Sequence, residues 1–295
     1  MDNLTIKQLR YFEAVAEQGH FGRAADICHI SQPAISVQIK ELEETLGQRL
    51  FERRARTISL TAFGEDFAAR VRPILRSVDD LADLARASHS DLVGKLRMGV
   101  IPTIGPYLLP RVVAQMSAAY PQLDLRIKET QTHNLIADLQ AGQLDLALVA
   151  LPISEPALTE LPLFDEVFVL LRHARDAGKP VPDGSALAKM RLLLLEEGHC
   201  FRNQALSFCG LSAHGPKESM EGSSLTTLAQ MVASGLGVTL IPEMAVPLEA
   251  RFSDVSIARF EQPEPMRTIG LVWRKSTPMT EMFRKLATLI ADGPA

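Results

Sequence analysis

Cys200 directly follows His199, stands two residues before Arg202, and is trailed nine positions later by Cys209. A thiol attacks an oxidant only as thiolate, and neighbouring cations or a helix N-terminus favour that form. Cys200 thus has the surroundings of a reactive thiol, and Cys209 the position of a partner that resolves a sulfenic acid. The opposing reading is the ordinary fate of a free cysteine, an inert small residue in a core. The spacing adds a constraint. If the segment is helical, nine residues set the two Cα atoms about 13–14 Å apart along the axis, whereas a disulfide needs roughly 4.4–6.8 Å. Closing the bond would remodel the segment, which is the logic of a redox switch.

Little other chemistry competes. Cys28 reads as a helix-packing residue. The seven histidines, among them His20, His29, His89 and His173, are scattered with no His-x-x-x-His spacing, and no Cys-x-x-Cys pair occurs. No metal site is expected from them. There is no Gly-x-Gly-x-x-Gly and no P-loop, so no cofactor is expected. Gly235-Leu236-Gly237 reads as an ordinary helix-to-strand turn.

The 295 residues allow two or three domains. With 46% hydrophobic and 22% charged residues the composition is that of a globular protein. The net charge of -4 argues neither for nor against a nucleic-acid partner. Met1 to Ile6 lacks the basic and apolar regions of a signal peptide, and no apolar run nears the ~18 residues of a membrane span. Three cysteines are too few for a secreted disulfide scaffold. A cytoplasmic protein with no membrane partner is expected, in which a disulfide is a signal.

The elements that must position these thiols come in two styles. Leu4 to Gln18 and Phe21 to Cys28 have helical spacing. Ser31 then caps a helix with Pro33 in its first turn, Ile35, Ile39, Leu42 and Leu46 inward, and Gly47 as its stop. This is a helix-turn-helix. Leu50 to Leu60 reads as a hairpin with a basic tip, a wing. Thr61 caps a long helix to Ala87 whose Phe67, Val71, Ile74, Val78, Leu81 and Ala85 form a heptad seam, calling for a partner helix. Residues 1–60 are therefore expected as a DNA-binding domain, 61–87 as a dimerisation helix, and 88–94 as a hinge. From 95 to 295 strands alternate with helices, which implies an α/β domain with mostly parallel sheets. Its length allows two lobes around a cleft, about 95–163 with 267–295 and about 164–266.

Phe21-Gly22-Arg23-Ala24-Ala25, Ser31-Gln32-Pro33-Ala34-Ile35-Ser36, Leu42-Glu43 and Leu50-Phe51-Glu52-Arg53 together resemble the LysR-type transcriptional regulators. Gly99 to Pro110, Gln131-Thr132-His133, Gly198-His199-Cys200 with Cys209, and Arg267 to Val272 resemble the peroxide-sensing members. The similarity covers nearly the whole chain. One departure is Asn203, where those members carry an aspartate.

The resemblance implies an N-terminal winged helix-turn-helix, a linker helix, and a two-lobed α/β regulatory domain resembling periplasmic binding proteins. It implies a peroxidatic Cys200 and a resolving Cys209, with Thr103, Thr132, His199, Arg202, Gln204 and Arg267 around hydrogen peroxide. Thr132 is also a plausible N-cap of the following helix. For DNA, Gln32, Pro33, Ser36 and Lys40 on the recognition helix face bases or phosphates, and Arg53, Arg54 and Arg56 on the wing suit phosphates or a minor groove. The implied assembly is a homotetramer on double-stranded promoter DNA that activates antioxidant genes through RNA polymerase and is reset by glutaredoxin or thioredoxin. Three rivals are a LysR-type regulator sensing a small organic effector in the cleft, a thiol peroxidase, and a solute-binding protein, which would need an export signal.

Overall fold

The computed structural model describes residues 4–54, 57–87, 93–211, 220–251 and 254–291. The chain divides into two compact units, Met1–Ala85 and Arg86–Ala295. Most of the expected hinge (88–92) and Arg56 lie outside the described residues, as do the side chains of Arg53 and Arg54.

In the first unit α1 (Ile6–Gln18) begins with a capping box. The Thr5 hydroxyl accepts from the Gln8 backbone, and the Gln8 side chain accepts from the Thr5 N–H. Then follow α2 (Phe21–Ile27) and α3 (Gln32–Leu46). Ser31 Oγ accepts from Ala34 N at 3.3 Å to open α3, and Gly47 at φ 67 closes it. Antiparallel strands β1 (Phe51–Arg54) and β2 (Thr57–Leu60) form the wing. The Thr61 hydroxyl accepts from Gly64 N at 2.9 Å and starts α4 (Ala62–Ala87). Phe12, Val15, Ala24, Ile35 and Leu42 are fully enclosed.

One expected seam residue belongs elsewhere. Val71 is only 1% exposed and packs, with Ala68 and Leu75, into the unit's own core. Steps of three and four fit two stripes on one helix, and the sequence does not say which stripe is internal. The outward stripe carries Ile74 (45% exposed), Leu81 (68%) and Leu84 (59%). Phe67 and Val78 are half-buried at its border.

The second unit runs β3 (Gly94–Val100), α5 (Gly105–Ala119), β4 (Leu123–Glu129), α6 (Thr132–Ala141), β5 (Leu146–Leu151), β6 (Leu158–His173), α7 (Gly184–Leu187), β7 (Leu193–Leu195), α8 (Cys200–Phe208), β8 (Met220–Gly222), α9 (Leu225–Ala233), β9 (Thr239–Pro242), α10 (Val246–Glu249), β10 (Val255–Arg259), β11 (Met266–Arg274) and α11 (Thr280–Ala291). The expectation of mostly parallel sheets is corrected. β3 pairs β4 and β5 in parallel, and β7 pairs β8 so, but β11 runs antiparallel to β5 and β6, and β6 antiparallel to β9 and β10. Buried strands read as apolar runs in either direction, so alternation with helices did not reveal the closing strand β11 inserting between β5 and β6.

Two cores result. One gathers Met98, Val100, Leu146, Leu148, Trp273 and Phe283, the other Phe168, Leu170, Leu193, Leu228 and Ile241. Strand β6, 16 residues long, runs through both lobes: its first part pairs β11 and its last part pairs β9 and β10. Among the described residues no helix is long and apolar enough to cross a membrane.

Candidate functional site

Helix α8 joins the two lobes through its ends. Gly198, at φ 94, turns the chain so that Cys200 is the first residue of α8, with His199 as N-cap. Cys200 is half-buried and packs against the first core. Cys209 caps the other end of the helix, 4% exposed inside the second core. Both are free thiols. The helical condition posed by their spacing therefore holds, and the intact helix keeps them about 13–14 Å apart.

Beside Cys200 lies a narrow crevice, walled by Ile101, Pro102, Thr103, Gln131, Thr132 and His199. As it stands it has no room for a water-sized molecule, so any ligand admitted there must be very small. Thr132 is the first residue of α6 and not its cap; Gln131 holds the N-cap position without a side-chain capping bond. The Thr132 hydroxyl oxygen is buried with no partner, a state that argues for a ligand.

Arg267 stands behind the crevice, not on its wall. Its Nη1 donates to Thr103 Oγ1 at 2.8 Å, Nη2 to the Thr103 carbonyl at 3.0 Å, and Nε to Glu166 Oε2 at 2.7 Å. Glu166 Oε1 also accepts from Met244 N at 3.1 Å. Because Arg267 occupies a lone pair of the Thr103 hydroxyl, that hydroxyl's own proton is directed to another acceptor. Burial pushes the Glu166 carboxyl up, against the downward pull of Arg267.

The cations expected around the thiol are rearranged. Burial pushes His199 below its ordinary value, with a weaker upward pull from Glu196, so the imidazole is neutral near pH 7. Arg202 turns away: its Nη1 donates to the Leu195 carbonyl at 2.9 Å and pairs with Glu221 at 2.7 Å, tying α8 to β7 and β8. What Cys200 meets is the N-terminus of α8, whose partial positive charge attracts anions. Gln204 also lies off the crevice wall, its side-chain oxygen buried without a partner. Asn203 is exposed.

Cys209 differs in kind. Burial pushes its thiol from 9.0 up to about 11, so in the intact fold it is a protonated, poor nucleophile. This has a stability consequence with a definite sign. Below pH 9 both native and unfolded thiols hold their protons and the contribution is fully present. Between pH 9 and 11 the unfolded thiol ionises first, and about 2–3 kcal/mol is lost. A Cys209→Ala variant should lose this slope of stability over pH 9–11, read by denaturant unfolding at each pH.

Residues 6–65 match the family model "Bacterial regulatory helix-turn-helix protein, lysR family", and residues 89–295 match "LysR substrate binding domain". The chain belongs to the LysR family. Among relatives of this LysR-family chain, the DNA-binding transcriptional dual regulator OxyR of Escherichia coli K12 is 40% identical over 97% of this chain and 95% of that protein. A full-length OxyR cysteine-to-aspartate variant from Pseudomonas aeruginosa superposes at TM-score 0.81 and 39% identity, covering 98% of this chain and 95% of the other. A hydrogen-peroxide-bound cysteine-to-serine mutant of Corynebacterium glutamicum OxyR superposes at TM-score 0.67 and 35% identity, covering 98% and 92%.

In the LysR-type head, Gln32, Pro33 and Lys40 are exposed on α3, Ser36 is half-buried beside them, and Lys40 pairs with Glu44 at 3.5 Å. Sequence reasoning missed Val37, 53% exposed on the same helix; an apolar residue outside the inward stripe was the available signal. It also missed Gln131, whose Nε2 donates to the Glu197 carbonyl at 3.2 Å. Nothing local to Gln131 marks that contact, 66 residues away in sequence.

Proposed function

We propose that this chain is a DNA-binding transcriptional activator of antioxidant genes that senses hydrogen peroxide through a reversible Cys200–Cys209 disulfide. The observation that carries the reading is the placement of the thiols. One opens a helix at a crevice too narrow for any but a very small molecule; the other is protonated and buried in the opposite lobe.

The chemistry balances in two steps. The Cys200 thiolate attacks one peroxide oxygen; the S–O bond forms, the O–O bond breaks, and the departing hydroxide takes a proton and leaves as water. Thr103, Thr132 and neutral His199 are the groups able to hold the oxygens and exchange protons there. The Cys209 sulfur then displaces hydroxide from the sulfenic acid, the S–S bond forms, and a second water leaves. Peroxide has gained the two electrons the thiols lost. Because the helix holds the sulfurs apart, α8 must unwind, and Arg202 must leave Leu195 and Glu221. The repacked lobe surface changes the spacing of DNA-binding heads in a homotetramer on promoter DNA, and with it recruitment of RNA polymerase. In the heads Gln32, Ser36 and Lys40 contact bases or phosphates, Arg53, Arg54 and Arg56 phosphates or a minor groove, and Phe67, Ile74, Val78 and Leu81 pair subunits. Glutaredoxin or thioredoxin in the cytoplasm supplies the dithiol that resets the bond. The protein acts as a stoichiometric sensor that is reset after each event, and not as an enzyme.

Thiol mass mapping before and after a peroxide pulse, with footprinting of promoter DNA on the same samples, tests this. The expected result is a linked Cys200–Cys209 pair and a shifted footprint. Unchanged thiols with a footprint that answers to a metabolite would replace this reading with a regulator of an organic effector.

A further inference from the structure

We propose that Gln131 determines which hydroperoxides reach Cys200, an inference that rests on the peroxide reading above. The crevice at Cys200 does not open directly to solvent on every side. Pro102, Thr103, Gln131 and His199 line it and also line a larger inter-lobe cleft of about 390 Å³ that extends to Tyr107 and Thr226. These four residues are the neck between the two spaces. Thr103 and His199 are buried and Pro102 is fixed by its ring. Gln131 is the half-buried member with a long side chain.

Two contacts hold that side chain across the neck. Its Nε2 donates to the Glu197 carbonyl, so a first-lobe residue grips the second-lobe turn leading into Cys200. Its Oε1 lies against Gly198, where an added Cβ would come within 2.3 Å of it. Gly198 is needed for its φ of 94, and a side chain there would displace the Gln131 amide. Placed there, the amide sets the width to which the neck can open, enough for hydrogen peroxide and too little for the branched group of tert-butyl hydroperoxide. Both oxidants give the same sulfenic acid, with S–O formed, O–O broken, and either water or the alcohol released after protonation.

The test uses the full chain with hydrogen peroxide and tert-butyl hydroperoxide. The rate constant for Cys200 oxidation by each is followed by mass mapping in the wild type, Gln131→Ala and Gln131→Ser. The serine variant opens the neck while offering α6 a good N-cap, so a lost fold does not mask the result. The ratio of the two rate constants is expected to fall about tenfold in both variants, the discrimination that a clash of one or two methylenes provides. General loosening of the site would lower both rates together, and an unchanged ratio overturns the inference. A wild-type Cys200 that neither oxidant modifies would instead defeat the peroxide reading, and this inference with it.

Discussion

A Cys200→Ser protein is expected to leave peroxide unreduced and its promoter footprint unchanged, with no oxidised product at this position. The loss follows from the nucleophile. A serine hydroxyl is almost wholly protonated at neutral pH, whereas a cysteine supplies some thiolate and is far more nucleophilic. The substitution changes one half-buried atom at the start of α8, so the head and its DNA contacts stay intact. Cys209→Ser should separate the two steps. Cys200 still reacts, but the product remains a sulfenic acid open to further oxidation, and α8 has no cause to unwind. Mass mapping distinguishes the two variants, and footprinting shows that neither switches. A Cys200→Ser protein that still changed its footprint after peroxide would remove the thiol from the mechanism.

The features legible in the sequence were those written locally. Ser31, Gly47 and Thr61 cap or close their helices because hydroxyls and a glycine at those positions satisfy end groups within a few residues. The two thiols were legible through spacing, since helix geometry converts nine residues into a distance. What escaped was set by contacts distant in sequence. Arg202 next to the thiol looked like a partner for it, but the Leu195 carbonyl and Glu221 are better placed acceptors, and Glu221 is distant in sequence. His199 looked like a cation, and burial makes it neutral. Val71 fell on a heptad that two packing faces share. The direction of β11 escaped because a buried strand has the same composition whichever way it runs.

Arg267→Met is expected to cost the regulatory unit about 3–5 kcal/mol, because it strands Glu166 in the interior. Arg267 and Glu166 have side chains 0% and 5% exposed. Burial already raises the Glu166 carboxyl despite its partner, so the pair is no large source of net stability. Removing one member and removing both should therefore differ. A combined Glu166→Gln and Arg267→Met protein keeps an acceptor for Met244 N and buries no charge, and should regain roughly half or more of the loss. The remainder reflects the Thr103 carbonyl and hydroxyl left without donors, worth about 1–3 kcal/mol. Trp273 is the sole tryptophan and is fully buried in the first lobe's core, so its fluorescence follows unfolding of this unit alone. Peroxide reactivity should not recover with stability. Without the Arg267 fork the Thr103 hydroxyl is no longer oriented, and oxidation of Cys200 should stay slowed by about 100-fold in the double variant, the low end of what a positioned proton donor contributes. If the double variant recovered both its stability and the wild-type oxidation rate, Arg267 would be a packing residue and Thr103 would orient itself.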